Sequence, residues 1–314
     1  MAGGRWPFSA LFAVTVWGAS FVASKLALEG FTPTGLVALR LIMGAGVLWF
    51  VLALRGGPLL PAKQDRARTV LLGLILATHI GVQTYGLSFT LATHAAWIVC
   101  FTSVIIAIGA QIFLRQRLRA LGWAGVVVAI AGVFGVTRSA PPELSEAGFG
   151  DLLQVTGCFT WAAYTLLGAR PVASSGALRV TTLAASVAVL PLFVLSLANG
   201  FVREPGWLEI SALLYLGLLS SAAAFLAWYH AQRVHGSQIT AATLYVEPFV
   251  TVLVAAFFGG PLSLTALAGG VVVLSGVWLV HRGAAPPGTT REQLGPVIEE
   301  EEARLEPGGP GRST

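Results

Sequence analysis

Ten apolar runs, each close to the length needed to cross a bilayer, follow one another along the chain with almost nothing soluble between them. They fall at 8–28, 33–54, 69–89, 95–114, 120–137, 151–171, 178–198, 210–230, 238–258 and 264–281. At 1.5 Å per residue, about 20 residues of helix span a hydrocarbon core of roughly 30 Å. Barrel strands would alternate apolar and polar side chains, and these runs do not. Turn residues or charges separate most of them: Gly30 to Pro33, Arg55 to Arg68, Arg115 to Arg119, Pro141 to Gly150 and Asn199 to Pro205. The sequence thus predicts an all-α integral membrane protein with ten transmembrane helices. Only 11% of residues are charged against 55% hydrophobic, where a soluble domain carries about 25% charge. The first run is too long for a cleaved signal peptide and continues into further helices, so it reads as the first span. Beyond Arg282 the chain turns to Pro, Gly and Glu, with an acidic run at Glu299–Glu302. Residues 282–314 are therefore expected as a disordered, acidic, cytoplasmic tail.

The chain also matches itself at an offset of 144 residues. Trp17 falls on Trp161, Leu39 on Leu183, Gly73 on Gly217 and Tyr85 on Tyr229. The densest block sets 118–136 on 262–280, with matches at Leu118, Gly125, Val127, Val128, Gly132, Val133 and Val136. Each copy holds five spans, an odd number, so the second must lie upside down in the bilayer. The expected domains are a first five-helix repeat over 8–137 and a second, inverted repeat over 151–281. Inversion predicts that equivalent loops exchange their charge. Loop 2–3 carries Arg55, Lys63, Arg66 and Arg68, whereas its counterpart holds Arg203 with Glu204 and Glu209. Loop 4–5 carries Arg115, Arg117 and Arg119 against an uncharged loop 9–10. Conversely, loop 3–4 is uncharged where loop 8–9 holds Arg233, and Glu29 in loop 1–2 faces Arg170 and Arg179 in loop 6–7. Positive-inside bias then puts both termini in the cytoplasm. A double-sided repeat makes one chain sufficient in principle.

These residues resemble the EamA-domain family of the drug/metabolite transporter (DMT) superfamily. The match is carried by Trp17-Gly18-Ala19-Ser20-Phe21 with Lys25 in helix 1, Leu39-Arg40 in helix 2 and Glu247-Pro248 in helix 9. The glycines of the last helix of each half, Gly125/Gly132 and Gly269/Gly276, also fit, and the similarity covers about residues 8–281. What the resemblance implies is an inner-membrane carrier working by alternating access, often an exporter of amino acids, metabolites or toxic compounds. The chain departs from the family pattern at Gln116 and Gly260, where an acid is common. It also has Ser103-Val104 where helix 4 often has proline, so the resemblance carries no symmetric kink there.

Ionisable groups inside the spans are costly and mark candidate sites. Glu247 lies ~14 Å into helix 9, Arg40 ~10 Å from the outer face and His79 ~15 Å from the inner face, by helical rise. Glu247 reads either as a proton-coupling or amine-recognising acid, or as the structural partner of Arg40. Pro248, which has no N–H, should free the carbonyl of Leu244 at mid-membrane, a broken-helix feature that carriers use for binding. His79 reads either as a proton relay or as one end of an interhelical hydrogen bond. Lys25 is a further candidate base, with snorkelling to the interface as the alternative. Trp17 and Trp161 fall at mid-depth as repeat equivalents, so they are expected to face each other across a central pocket, with Tyr164 one turn beyond, or simply to pack the core. Tyr229 is expected at the interface. The glycines spaced by seven point to close helix packing.

The predicted function is secondary active transport, with export favoured, of small organic solutes such as amino acids or metabolites, coupled to protons or another gradient. A passive facilitator or channel is the alternative, and a membrane-embedded transferase a remote one. No GxxxxGK[ST] phosphate loop exists, and the scattered acids give no metal-ligand spacing. Cys100 and Cys158, both inside apolar runs, form no framework. The net charge of +5 is accounted for by loop arginines rather than nucleic-acid binding. No enzyme activity, cofactor or metal is expected.

Overall fold

The computed structural model describes residues 8–114, 120–139, 146–260 and 263–283. Gln116, the arginines of loop 4–5 and the tail from residue 284 onward lie outside this set. In chain order the helices are α1 (Phe8–Gly30), α2 (Pro33–Arg55), α3 (Lys63–Leu87), α4 (Ala92–Val99), α5 (Thr102–Leu114), α6 (Ala120–Arg138), α7 (Ala147–Ser175), α8 (Ala177–Asn199), α9 (Trp207–Tyr215), α10 (Ala224–Ala242), α11 (Glu247–Phe257) and α12 (Leu264–Gly283). A π-helical stretch, Leu216–Ala223, joins α9 to α10, and a 3₁₀ turn, Thr243–Val246, joins α10 to α11. Among the described residues there is no strand, only an isolated bridge between Phe31 and Val202.

Among the described residues, eight candidate spans are long and apolar enough to cross a membrane. Two of the ten expected spans fall outside that count. The apolar part of α12 is shorter, Leu264–Val280, and α7 carries Gln154, Thr156, Thr160 and Arg170 among its apolar residues. Within α10, Gly236 adopts φ +80°, a conformation open to glycine, and ends the long span that starts at Trp207.

With lipid no better a solvent for one apolar side chain than another, helices in a membrane associate through close packing and hydrogen bonds. Glycine provides the first. Along α6 and α12, a Cβ at Gly125 would strike the carbonyl of Gly276, and one at Gly276 would come within 2.7 Å of the Gly125 carbonyl. Gly73 of α3 lies against Val187 of α8, and Gly217 lies against Met43 of α2. These two contacts are equivalent under the 144-residue offset. So are the contacts of Gly132 with Val273 and of Gly276 with Ala129.

Loop contacts pair up in the same way at opposite ends of the bundle. At one end Thr32 N–H donates to the Phe201 carbonyl (3.3 Å) and Arg203 N–H to that of Gly30 (2.9 Å). At the other, Ala62 N–H donates to Ser175 Oγ (3.0 Å) and Arg179 Nε to the Pro58 carbonyl (2.8 Å).

Helix breaks face each other at the centre. α4 ends at Val99 and α5 starts at Thr102, joined by i→i+3 bonds such as Phe101 N–H to Ile98 O (2.9 Å) and Val104 N–H to Phe101 O (3.0 Å). The 3₁₀ turn at Thr243–Val246 stands at the equivalent place in the second half. Cys100 Sγ lies 3.8 Å from the Leu244 carbonyl, and Ser103 Oγ donates to Ala241 O at 3.1 Å. A break in helix 4 therefore exists without the proline, because tight turns can interrupt a helix unaided. The expectation of a freed Leu244 carbonyl is corrected here: the 3₁₀ turn brings the Glu247 N–H onto it.

Candidate functional site

α1 supplies the motif Trp17-Gly18-Ala19-Ser20-Phe21. A Cβ at Gly18 would lie 2.7 Å from the Glu247 carbonyl and 2.8 Å from Val250 Cβ, so only glycine lets α1 touch the start of α11. Thr251 Oγ1 seals that contact by donating to the Gly18 carbonyl at 2.7 Å. The close approach leaves Trp17 pointing into the bundle. Its Nε1–H donates to Ser220 O at 3.1 Å, and its ring meets Trp161 edge-on with centroids 5.1 Å apart. Phe225 and Trp228 each lie 5.3 Å from Trp17. Trp161 stacks on Tyr164 at 5.1 Å, and Tyr164 on Tyr229 at 5.3 Å. Tyr229 is fully buried, which corrects its expected place at the interface.

Beside these rings lies a cavity of about 40 Å³, lined by Trp17, Arg40, His79, Trp161 and Glu247 together with Ser20, Gln83, Thr102 and Phe225. That is room for a few waters, not for an organic solute, which occupies hundreds of Å³. Five of the sequence candidates are thus brought to one place. Tyr164 stands behind Trp161, away from the cavity lining. Lys25 is elsewhere, its Nζ donating to the Leu87 carbonyl at 2.8 Å. Pro248 is buried in the first turn of α11 and holds its start in helical φ.

Arg40 is 5% exposed. Its Nε donates to Ser221 Oγ (3.0 Å) and its Nη2 to Ser220 Oγ (2.9 Å). Both serines sit on the π-helical stretch, whose wider turn presents adjacent residues to the same partner. Glu247 is 2% exposed, and among the described residues no ion pair joins it to Arg40; the single pair found there is His94–Asp151. The structural alternative in which Arg40 and Glu247 hold each other is therefore not what the structure shows. His79 Nδ1 lies 3.1 Å from the Gly157 carbonyl and 3.2 Å from Thr160 Oγ1. A carbonyl only accepts, so Nδ1 carries the proton, and the ring lies 4.9 Å from Trp161.

Sequence reasoning missed Ser220, Ser221, Gln83, Thr102, Phe225 and Trp228. An adjacent serine pair in the middle of an apolar span was the available signal for the first two. It also missed a buried cluster where α4, α6 and α7 meet. There His94 Nδ1 lies 3.7 Å from Asp151 Oδ2, Thr90 Oγ1 donates to Asp151 Oδ1 at 2.5 Å, and Ser139 Oγ lies 3.3 Å from His94 Nε2.

A bundle of apolar helices closed over a small central polar cavity, with a cation and an acid inside it that form no ion pair among the described residues, is the build of a multi-pass membrane transporter. The chain belongs to the EamA-like transporter family, whose model matches it twice, over residues 4–138 and 148–282. An Archaeoglobus fulgidus protein named "Uncharacterized transporter" is 28% identical over 84% of this chain and 93% of its own. The Escherichia coli "Uncharacterized inner membrane transporter YedA" is 26% identical over 81% and 83%. A Streptantibioticus cattleyicolor protein named "Probable terminal-alkyne amino-acid exporter" is 29% identical over 86% and 91%. A solved crystal structure of another protein shares the fold, with a TM-score of 0.64 at 17% identity over 87% of this chain and 95% of that one.

Proposed function

We propose that the protein is a gradient-coupled exporter of small organic solutes that carry both a carboxylate and an amine, amino acids being the simplest, across the inner membrane. One observation carries this reading: among the described residues the central cavity holds Arg40 with hydroxyl partners and no acid, and Glu247 with no base. A buried guanidinium has five donors, of which two are bonded to serines here. The rest suit a carboxylate in a two-pronged geometry. Glu247 then serves the amine or exchanges a proton with it, and Trp17, Trp161 and Phe225 supply the apolar wall. His79 holds α3 to α7 through Gly157 rather than carrying the coupling.

The chain is read as ten spans in two inverted five-helix repeats, with both termini in the cytoplasm and one chain forming the pathway. The double match of the family model and the offset-related glycine and loop contacts support that reading. Movement between the halves would open the cavity to one side at a time. A passive channel fits less well, because interlocked rings fill the centre.

The test is counterflow and pH-jump transport in proteoliposomes with a panel of amino acids and metabolites, comparing the native chain with Glu247→Gln. The native chain should move at least one zwitterionic solute with dependence on the pH gradient, and Glu247→Gln should lose that dependence. A variant that keeps it moves the coupling away from Glu247, and a native flux indifferent to every gradient makes the protein a facilitator.

A further inference from the structure

A second cavity lies at the end of the bundle where α2 finishes and α8 begins. It measures about 610 Å³ and is lined by Arg55, Arg179, His230 and Arg233 above Leu52, Leu178 and Leu226. No acid lines it among the described residues. Among the described residues none of the three arginines has a carboxylate partner. Arg55, His230 and Arg233 are exposed. Arg179 alone is fixed, its Nε on the Pro58 carbonyl (2.8 Å) and its Nη1 on that of Ser175 (3.3 Å). Two carbonyls therefore aim one guanidinium at the crevice while leaving its charge uncompensated.

Positive residues at one end of a membrane bundle are ordinary. Their convergence from three separate elements onto one crevice with an apolar floor is not explained by that rule. The pattern is amphiphilic: cations at the mouth, leucines beneath. A soluble anion has no use for the leucines, and a neutral lipid has none for the arginines. We propose that this crevice binds an anionic phospholipid of the adjoining leaflet, its phosphate held by Arg55, Arg179 and Arg233 and the start of its acyl chains against Leu52, Leu178 and Leu226. The site lies apart from the central cavity and does not depend on which solute is carried.

The experiment is native mass spectrometry of the full-length purified protein, delipidated and then exposed to phosphatidylglycerol or phosphatidylcholine in detergent. Each unpaired arginine near an anionic headgroup adds to the preference, so phosphatidylglycerol should be retained at least about 10-fold better. The R55Q/R179Q/R233Q variant should lose that preference. R66Q/R68Q, which removes two exposed arginines from the start of α3 outside the crevice, should keep it. If the triple variant does not fold, as judged by its elution from gel filtration, R233Q alone should cut the preference severalfold, since that side chain makes no hydrogen bond among the described residues. The assignment is overturned if the triple variant retains phosphatidylglycerol, or if the control loses it equally, which would leave only general surface charge. Displacement of the lipid by millimolar inorganic phosphate would also overturn it, giving a soluble-anion site instead.

Discussion

Arg40 shows how much a single side chain depends on its planarity. Two hydroxyls on neighbouring residues of one element are reached by Nε and Nη2 together, and the planar fork still has donors on both Nη atoms for a ligand, which the single nitrogen of an ammonium does not offer. Arg40→Lys keeps the charge and can still donate to the serines, but loses the two-pronged face offered to a ligand. A hydrogen bond to a charged group is worth roughly 2 kcal/mol, or about 30-fold in affinity. Solute affinity should fall by about that factor while thermal stability changes little; equal losses in both would make Arg40 a structural residue. The sequence named Arg40, His79, Glu247 and the tryptophan pair because ionisable and mid-depth aromatic residues stand out against an apolar background. It could not name Phe225 or Thr102, since a phenylalanine or a threonine in a membrane helix is unexceptional until its neighbours are known.

Among the elements, α6 and α12 make the most exacting contact, glycine against backbone on both sides. Substituting Gly132 with leucine forces the helices apart at Val273, where not even a Cβ fits. Overpacking a tight core costs about 1–3 kcal/mol when side chains can yield, and here the obstruction includes backbone. Gly132→Leu should lower the melting temperature in detergent by several degrees or more. Gly46→Leu, a substitution facing open space, should not, and parity between the two would remove glycine packing from the account. Helix positions were legible because apolar run length reports bilayer thickness directly. The π-helical stretch at Leu216–Ala223 and the break after Val99 were not, because a change in hydrogen-bond register leaves composition and hydropathy untouched. The resemblance pointed to proline as the cause of a break, and so carried none to helix 4, where 3₁₀ bonds make one.

For the whole molecule, the loop pairings at the two ends are where relative movement of the halves would have to show. Residues across an antiparallel bridge sit about 4.5–5.5 Å apart at Cα, within disulfide reach. Cysteines at Phe31 and Val202 should therefore crosslink on oxidation without distortion. The native Cys100 and Cys158 are buried and will not compete. If the halves must part at this end, oxidation stops transport and a reductant restores it; undiminished flux in the crosslinked protein would exclude opening there. A cell membrane is a charged capacitor, and any thread of water through it is a short circuit. The edge-on and stacked rings of Trp17, Trp161, Tyr164 and Phe225 leave space for a few waters and no file of them. On the function proposed above, an idle carrier of this build would be insulation, its rings parting for a guest with apolar surface of its own to put in their place.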